Sequence, residues 1–270
     1  MILNINEITD EEFKELPLVT MGESKEIRRL EFTIDNKPLC LIKLKPTVYS
    51  FTANRCGVLE GSDKLRLRTT KVFTDLLKDC GLHHSYLQVG DNYILSYLIE
   101  GNHKIETIVK AYHSGTSKHR YFEMDNCPTR KEHPWASGYS FNKEDAYPHP
   151  IVRFDWRNPM YHPQTNARLA DEALPEDIAD WYIDTKKAKK TALSAFKVIS
   201  EFLSDRDILL YDICFFIAED GRTIYGEVSQ DCGRFRHFDL GSLDKDVWRS
   251  GKPPEDVYKQ WELLAEAVEK

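Results

Sequence analysis

Residues 208–217 read ILLYDICFFI, and this stretch decides most of what can be expected of the fold. An apolar run of this length, bounded by turn residues, is typical of a buried β-strand. Residues 219–222 (EDGR) predict a turn, and residues 223–229 are expected to return as a second strand. The second half of the chain should therefore contain a β-sheet with this unit inside it.

The first hundred residues predict an antiparallel β lobe with one helix. Residues 26–35 alternate apolar and polar, residues 35–38 (DNKP) predict a turn, and residues 39–45 alternate again, which favours a hairpin. From Asp63 the apolar spacing becomes helical, and Gly81 stands where a helix-ending glycine belongs. Further strands are expected at 93–99 and 105–112.

The second half mixes helices with an irregular segment. Residues 123–150 contain four prolines, which predict a long irregular connection, either a functional cover or a plain surface excursion. Residues 174–177 (LPED) predict a helix start, and the helix that follows buries one face, namely Ala192, Phe196, Ile199 and Leu203. Residues 254–269 predict an amphipathic helix with Val257, Trp261, Leu264 and Val268 facing inward. The fold class is therefore α+β.

The composition of the 270-residue chain limits the classes of partner that it could bind. A formal charge of −7 argues against non-specific binding to nucleic acid or to an anionic membrane. Six cysteines without a C-x-x-C pair fit reduced thiols. The acidic start of the chain lacks the basic region of a signal peptide, and no apolar run approaches transmembrane length. We therefore expect a cytoplasmic protein.

Three segments contain residues that could bind a ligand. The turn at residues 22–25 (GESK) could cradle a triphosphate, or it could be a turn with a solvated lysine. Residues 113–120 (HSGTSKHR) could hold a phosphate dianion or form a plain polar loop. Residues 227–236 place two acids and two arginines together, which suits metal, amine or carboxylate contacts as well as a salt-bridge cluster. The histidines and cysteines lack the spacing of known metal or nucleophilic sites.

In chain order, these segments resemble the SAICAR synthetase family, from about residue 22 to the end. The matching motifs are Gly22-x-x-Lys25-x-Ile27; Ile105-Glu106-Thr107-Ile108-Val109-Lys110 with Gly115, Thr116 and Arg120; Leu210-Tyr211-Asp212; Glu227-Val228-Ser229-Gln230-Asp231 with Arg234; and Leu243-Asp244-Lys245-Asp246-Val247-Trp248-Arg249. The last motif, L-D-K-D-x-[FW]-R in the family, is the most specific. The shared order is harder to obtain by accident than any single motif.

The resemblance implies a kinase-like antiparallel lobe at residues 1–100 and an α+β lobe at residues 101–270. ATP and a ribonucleotide would meet in the cleft between them, and a homo-oligomer is compatible with the family. The implied reaction uses Mg²⁺ and ATP to phosphorylate a substrate carboxylate, after which the amine of an amino acid such as aspartate displaces phosphate. The partners would thus be a small-molecule nucleotide and an amino acid.

The resemblance also implies roles for individual residues. Gly22 and Lys25 would face the ATP phosphates, Lys25 and Asp231 would be catalytic, and Glu227 would hold the metal. The substrate would be bound by Glu106, Lys110, Thr116, Arg120, Asp212 and Arg234.

Several positions depart from the family pattern. Cys214 replaces a lysine, while Phe216 and Gly226 replace two acids that would help to hold Mg²⁺. The remaining departures are Lys110 for arginine, Ala111 for asparagine, Arg66-Leu67 for an asparagine pair and Gln230 for proline. Two hypotheses follow: an ATP-dependent ligase acting on a modified heterocyclic or the ordinary purine carboxylate, and a catalytically silent nucleotide-binding relative without the Mg²⁺–ATP site.

Overall fold

A computed structural model describes residues 4–50, 55–101, 104–115, 124–134, 136–159, 161–167 and 169–270. Within these ranges, no helix is both long and apolar enough to cross a membrane. All six cysteines lie in the described ranges, and none of them is in a disulfide.

The first half of the chain forms a five-stranded antiparallel sheet in the order β1-β2-β3-β7-β6, beside a separate hairpin of β4 and β5. The elements are α1 (Asp10–Glu15), β1 (Leu18–Met21), β2 (Lys25–Ile34), β3 (Lys37–Leu44), β4 (Thr47–Ser50), β5 (Arg55–Val58), α2 (Ser62–Asp79), β6 (Tyr86–Val89) and β7 (Ile94–Tyr97). Asp35 and Asn36 have φ of 52° and 60°, the backbone of a two-residue hairpin turn, which confirms the predicted hairpin.

Helix α2 ends as the sequence predicts. Gly81 has φ of 69°, its N–H donates to Lys78, and the N–H of Leu82 donates to Leu77. This pair of hydrogen bonds is the Schellman motif, which favours glycine because the backbone is left-handed. The helix buries Phe73 and Leu77 against the core.

The second half forms a seven-stranded antiparallel sheet in the order β10-β9-β8-β11-β13-β14, with β12 paired to β11. The elements are β8 (Ile105–Tyr112), β9 (Ala146–Trp156), β10 (Glu172–Leu174), α3 (Glu176–Ala179), α4 (Thr185–Ser204), β11 (Ile208–Ile217), β12 (Ile224–Tyr225), β13 (Gly233–His237), β14 (Gly241–Ser242), α5 (Asp246–Arg249) and α6 (Pro254–Glu269). A 3₁₀ turn spans Met124–Asn126.

Three predicted boundaries were wrong. The irregular connection ends at residue 145, because β9 already includes Pro148 and Pro150. A strand tolerates these prolines because β10 pairs only with residues 154–156, leaving this half of β9 at an edge. The helix predicted from residue 175 is two helices, since Asp184 caps α4 separately. The return strand expected at 223–229 has two residues, because Gly226 (φ 88°) turns the chain into a loop.

The main hydrophobic core is shared by both sheets. It joins Ile42 and Ile94 of the first sheet to Ile213 and Phe215 of β11, and includes residues of α2, α4 and α6. The proposed boundary near residue 100 falls between β7 and β8, and the division into two lobes there stays a prediction.

Candidate functional site

The polar face of β11 is created by an irregularity in the strand. The pairing of β11 with β13 shifts between Leu210 and Asp212. Ile208 and Leu210 point into the core before the shift, whereas Ile213, Phe215 and Ile217 do so after it. Because side chains alternate along a strand, the shift places Asp212, Cys214 and Phe216 together on the opposite face.

Neighbouring strands add their own polar residues to this face. Asp212 pairs with Lys110 of β8 on one side and with Arg234 of β13 on the other. Arg234 Nη1 donates to Asp212 Oδ2 over 2.6 Å, and Lys110 Nζ lies 3.5 Å from the same oxygen. We call these three residues the Asp212 cluster. Three of the predicted substrate-binding residues are thus in direct contact.

The Asp212 cluster places two buried cations on one carboxylate. Burial lowers the pKa of Lys110, and Asp212 opposes that shift only in part. Burial would raise the pKa of Asp212, but the charges of Arg234 and Lys110 outweigh it and the pKa is lowered. Lys110 also donates to the carbonyl of Ser114 over 2.8 Å, at the start of the predicted phosphate loop. The cluster therefore keeps a surplus positive charge close to that loop.

Glu227, the predicted metal ligand, is engaged by a buried arginine. Arg66 Nε and Nη2 donate to its two carboxylate oxygens over 2.7 and 2.6 Å, and Ser229 Oγ donates to Oε1 over 2.5 Å. The side chains of Arg66 and Glu227 are 0% and 2% exposed. Burial alone would raise the pKa of Glu227, but Arg66 outweighs it and lowers the pKa. We call these two residues the Arg66–Glu227 pair.

Lys25 brings the first sheet to the far end of the same face. The Gly22 N–H donates to the Lys25 carbonyl over 2.9 Å, which closes the predicted turn. The Lys25 ammonium lies 5.2 Å from the centre of the Phe216 ring, and the Arg157 guanidinium lies 5.4 Å from it. An aromatic ring at this distance attracts cations through its quadrupole. Phe216 thus lies between two cations, at a position where the resemblance implies an acid.

Arg157 also faces two carboxylates. Its guanidinium lies 3.7 Å from Glu106, and Asp171 adds a second negative charge nearby. Burial first, and then Glu106, raise the pKa of Asp171 to about 6. The same two causes, in the same order, raise the pKa of the Cys214 thiol well above its usual value. Cys214 is therefore a neutral thiol in this setting.

Asp231 has its own cation. Lys245 Nζ lies 3.1 Å from its carboxylate. Burial would raise the pKa of Asp231, but Lys245 and then Arg66 outweigh it, and the pKa is lowered. Asp231 is therefore ionised. Its neighbour Gln230 is fully buried, and its amide has no hydrogen-bond partner among the described residues.

The Glu227 position does not fit a protein-bound Mg²⁺. In the described part of the chain, no group of three or more His, Cys, Asp or Glu is placed to hold a metal ion. Mg²⁺ needs carboxylate oxygens that are free to coordinate it. Both oxygens of Glu227 already accept hydrogen bonds from Arg66.

The structure places most of the predicted site residues on or beside this face, together with residues that the sequence did not predict. Lys25, Glu106, Lys110, Asp212, Glu227, Asp231 and Arg234 all lie on or beside this face, while Thr116 and Arg120 lie outside the described residues. Arg157 and Asp171 were missed, since no motif marks them. Arg66 was noted in the sequence only as a departure from the family pattern and was given no role in the site. The sequence feature that could have revealed it is a charged residue between two leucines on the buried side of a helix, because a buried charge is expected to have a buried partner.

Comparison with known proteins identifies the family. The family model for SAICAR synthetase matches residues 19–263. The chain belongs to the SAICAR synthetase family.

Relatives of this family share low identity over most of the chain. The phosphoribosylaminoimidazole-succinocarboxamide synthase of Methanopyrus kandleri is 24% identical over 87% of each chain. The bifunctional cordycepin biosynthesis cluster protein 3 of Cordyceps militaris is 25% identical over 91% of this chain, which spans 32% of that larger protein. A solved SAICAR synthetase (type 2) in complex with ADP superposes with a TM-score of 0.69 at 21% identity, covering 92% of this chain and 96% of that one. The predicted α+β, SAICAR synthetase-like fold is confirmed.

Proposed function

We propose that the protein is an ATP-dependent ligase that joins the carboxylate of a heterocyclic ribonucleotide to the amine of an amino acid such as aspartate. A carboxylate oxygen would attack the γ-phosphorus of ATP, and ADP would leave. The amine would then attack the carbonyl carbon of the acyl phosphate, expelling phosphate and losing a proton. The expected partners are these small molecules, in the cytoplasm, and a homo-oligomer is compatible with the family.

One observation carries this proposal: two cationic positions lie on one face of β11. Lys25 and Arg157 flank Phe216, and the Asp212 cluster lies four residues away along the strand. At about 3.3 Å per residue the two positions are roughly 13 Å apart. Phosphoryl transfer depends on cations that position and neutralise phosphate oxygens. Lys25 and Arg157 suit the ATP phosphates, while Lys110 and Arg234 suit a phosphate or carboxylate of the acceptor.

Asp231 and Glu106 support the remaining contacts. Asp231 is ionised and held by Lys245, so it could orient the attacking amine. Glu106 lies beside Arg157 on the same face, where its carboxylate could accept hydrogen bonds from ribose hydroxyls. Cys214 lies between the two cationic positions and offers a small neutral surface to the substrate.

The experiment that tests the proposal has two stages. ATP binding is measured by calorimetry on the purified protein, and then on Lys25→Gln with Lys71→Gln as the control, because Lys71 pairs with Asp75 on an exposed helix surface. We expect Lys25→Gln to weaken ATP binding about tenfold and Lys71→Gln to leave it unchanged. Release of ADP and phosphate is then screened with pairs of heterocyclic carboxylates and amines. A protein that binds ATP yet releases neither product with any pair is not a ligase.

Rescue of a purine auxotroph tests the ordinary purine reaction directly. Growth of the complemented strain would assign the standard family substrate, and a Lys25→Gln gene should then fail to rescue. Absence of rescue by a well-expressed protein would direct the screen to modified heterocycles.

A second candidate function is a catalytically silent nucleotide-binding relative. The Arg66–Glu227 pair favours it, because the one acid retained from the expected metal site is already neutralised. This candidate predicts nucleotide binding without turnover for every carboxylate and amine pair.

A further inference from the structure

The Arg66–Glu227 pair is closed on all sides by the protein. Glu227 accepts two hydrogen bonds from Arg66 and one from Ser229. The guanidinium also donates to the carbonyls of Lys45 and Ser24, over 3.0 and 3.4 Å. A metal ion could reach Glu227 only by displacing this arginine, which would leave a buried cation without its partner.

The surroundings of the pair also oppose a metal ion. Besides Arg66, the charged side chains that act on Glu227 are Asp231 and the cation Lys25. Asp231 is itself paired with Lys245 at 3.1 Å. At Gly226 a Cβ would lie 3.6 Å from Lys25 Nζ and 3.5 Å from Phe216, and the φ of 88° disfavours any side chain there. An acid at position 226 would therefore strain the loop, so the metal site cannot be rebuilt by that substitution alone.

We infer that the Arg66 guanidinium occupies the position of a divalent cation, so that this protein binds the phosphates of a nucleoside diphosphate or triphosphate without a metal ion on its own carboxylates. The inference rests on the proposed nucleotide function and deepens it. Arginine suits this exchange because it keeps its charge at every accessible pH and matches a carboxylate with two parallel hydrogen bonds.

The same contacts give Arg66 a second effect, on the position of the nucleotide turn. The Ser24 carbonyl belongs to the turn at residues 22–25, and Lys45 Nζ donates to the Gly22 carbonyl over 2.7 Å. Arg66 therefore ties this turn to the loop that carries Glu227. A metal ion on Glu227 would hold only the loop that carries Glu227. The guanidinium holds both this loop and the turn at residues 22–25, and it thereby fixes the distance between Lys25 and Phe216.

The first test titrates the wild-type protein with ADP by calorimetry, once in EDTA and once in excess Mg²⁺. The inference expects dissociation constants that agree within about threefold. Binding that appears only with Mg²⁺ would overturn the inference and leave the proposed nucleotide function intact. A folded protein that binds ADP in neither buffer would remove the proposed function instead, and the second test then decides the inference alone.

The second test titrates Mn²⁺, without nucleotide, against three proteins and follows free Mn²⁺ by its electron paramagnetic resonance signal. Arg66→Asn uncovers Glu227, and Arg68→Asn is the matched control on the same helix, since Arg68 pairs with the exposed Glu269. We expect the affinity for Mn²⁺ to rise at least about tenfold in Arg66→Asn and to stay at the wild-type level in Arg68→Asn. A folded Arg66→Asn protein without this gain would contradict the inference.

The wild-type titration keeps the inference testable if Arg66→Asn fails to fold. Under the inference, the wild-type protein holds no Mn²⁺ beyond the weak level of exposed surface acids, and added ADP does not create a protein-bound ion. Stoichiometric Mn²⁺ on the wild-type protein, alone or with ADP, would overturn it.

Discussion

The Arg66–Glu227 pair and the Asp212 cluster are two buried ionic sites that handle charge in opposite ways. In the pair, one cation is hydrogen-bonded to one carboxylate, and the guanidinium also donates to backbone carbonyls. In the cluster, two cations meet one carboxylate, and Arg234 also approaches Asp246 at 3.4 Å. The pair is electrically closed. The cluster, counted with its ion-pair partners Asp246, Asp244, Arg236 and Arg249, has four cations against three carboxylates and so retains positive charge.

This difference predicts different roles for the Arg66–Glu227 pair and the Asp212 cluster. A closed ion pair neither attracts a metal nor recruits a phosphate, so its contribution is to hold two chain segments together. A cluster with surplus positive charge is stabilised further when an anion arrives. We therefore expect ligand binding to depend on the Asp212 cluster and on Lys25, and fold stability to depend on the Arg66–Glu227 pair.

The largest expected effect comes from breaking the pair. Arg66→Met leaves the Glu227 carboxylate buried without a cation and should lower the free energy of unfolding by about 3–5 kcal/mol. Urea denaturation at pH 7 measures the loss. Arg68→Met is the control, because Arg68 and Glu269 are 38% and 40% exposed and such a pair contributes less than about 1 kcal/mol.

The double variant Arg66→Met, Glu227→Leu sharpens this result. With both charges gone, most of the lost stability should return, because apolar residues of similar volume replace a buried ion pair at little cost. If Arg66→Met alone lowers the free energy of unfolding by less than about 1 kcal/mol, Glu227 must reach water. The pair would then not differ from the Asp212 cluster in the way argued above.

A smaller effect is expected from the Asp212 cluster. Lys110→Met removes one of two cations, but Arg234 stays hydrogen-bonded to Asp212 at 2.6 Å. Removing Lys110 also removes the cost of burying it, which is the main cause of its lowered pKa. We expect a loss of about 1–2 kcal/mol in the free energy of unfolding, measured in the same urea series. A loss as large as that of Arg66→Met would show that the cluster has no surplus charge.

Local signals in the sequence predicted the parts of the fold that depend on few residues. The turn at Asp35-Asn36 and the helix end at Gly81 follow from backbone preferences, and both are confirmed. The two-residue return strand was mispredicted as 223–229, because the left-handed backbone at Gly226 depends on the loop that it begins. Pro148 marked a loop, although its position at a sheet edge, set by distant pairing, permits a strand.

The site shows the same division between local and distant causes. Motif order predicted Lys25, Asp212 and Arg234 as site residues, because family motifs keep their spacing. The Arg66–Glu227 contact joins residues 161 positions apart, and the substitution at position 66 alone cannot reveal that its side chain contacts Glu227. The face on which Asp212 lies depends on the pairing shift in β11, which a strictly alternating pattern cannot predict.

The smallest expected effect concerns Arg157, which has the inverse arrangement of the Asp212 cluster, with one cation facing two carboxylates. Burial, followed by Glu106, raises the pKa of Asp171 to about 6, against an ordinary value of 3.8. The folded protein therefore holds this proton more tightly than the unfolded chain does. The stabilising contribution is complete below about pH 4 and is lost as the pH rises through 6, because ionised Asp171 then faces Glu106.

Asp171→Asn should remove this cost where Asp171 is ionised. We expect the free energy of unfolding to rise by at most about 1 kcal/mol at pH 7.5, a figure reduced for partial solvent screening, and to change little at pH 4. Urea denaturation across this range measures the difference, with the exposed neighbour Glu172→Gln as the control. A gain of equal size at both pH values would mean that packing, not charge, limits stability at Asp171. In that case Arg157 would neutralise both Glu106 and Asp171, and the Asp212 cluster alone of these three sites would carry a net charge.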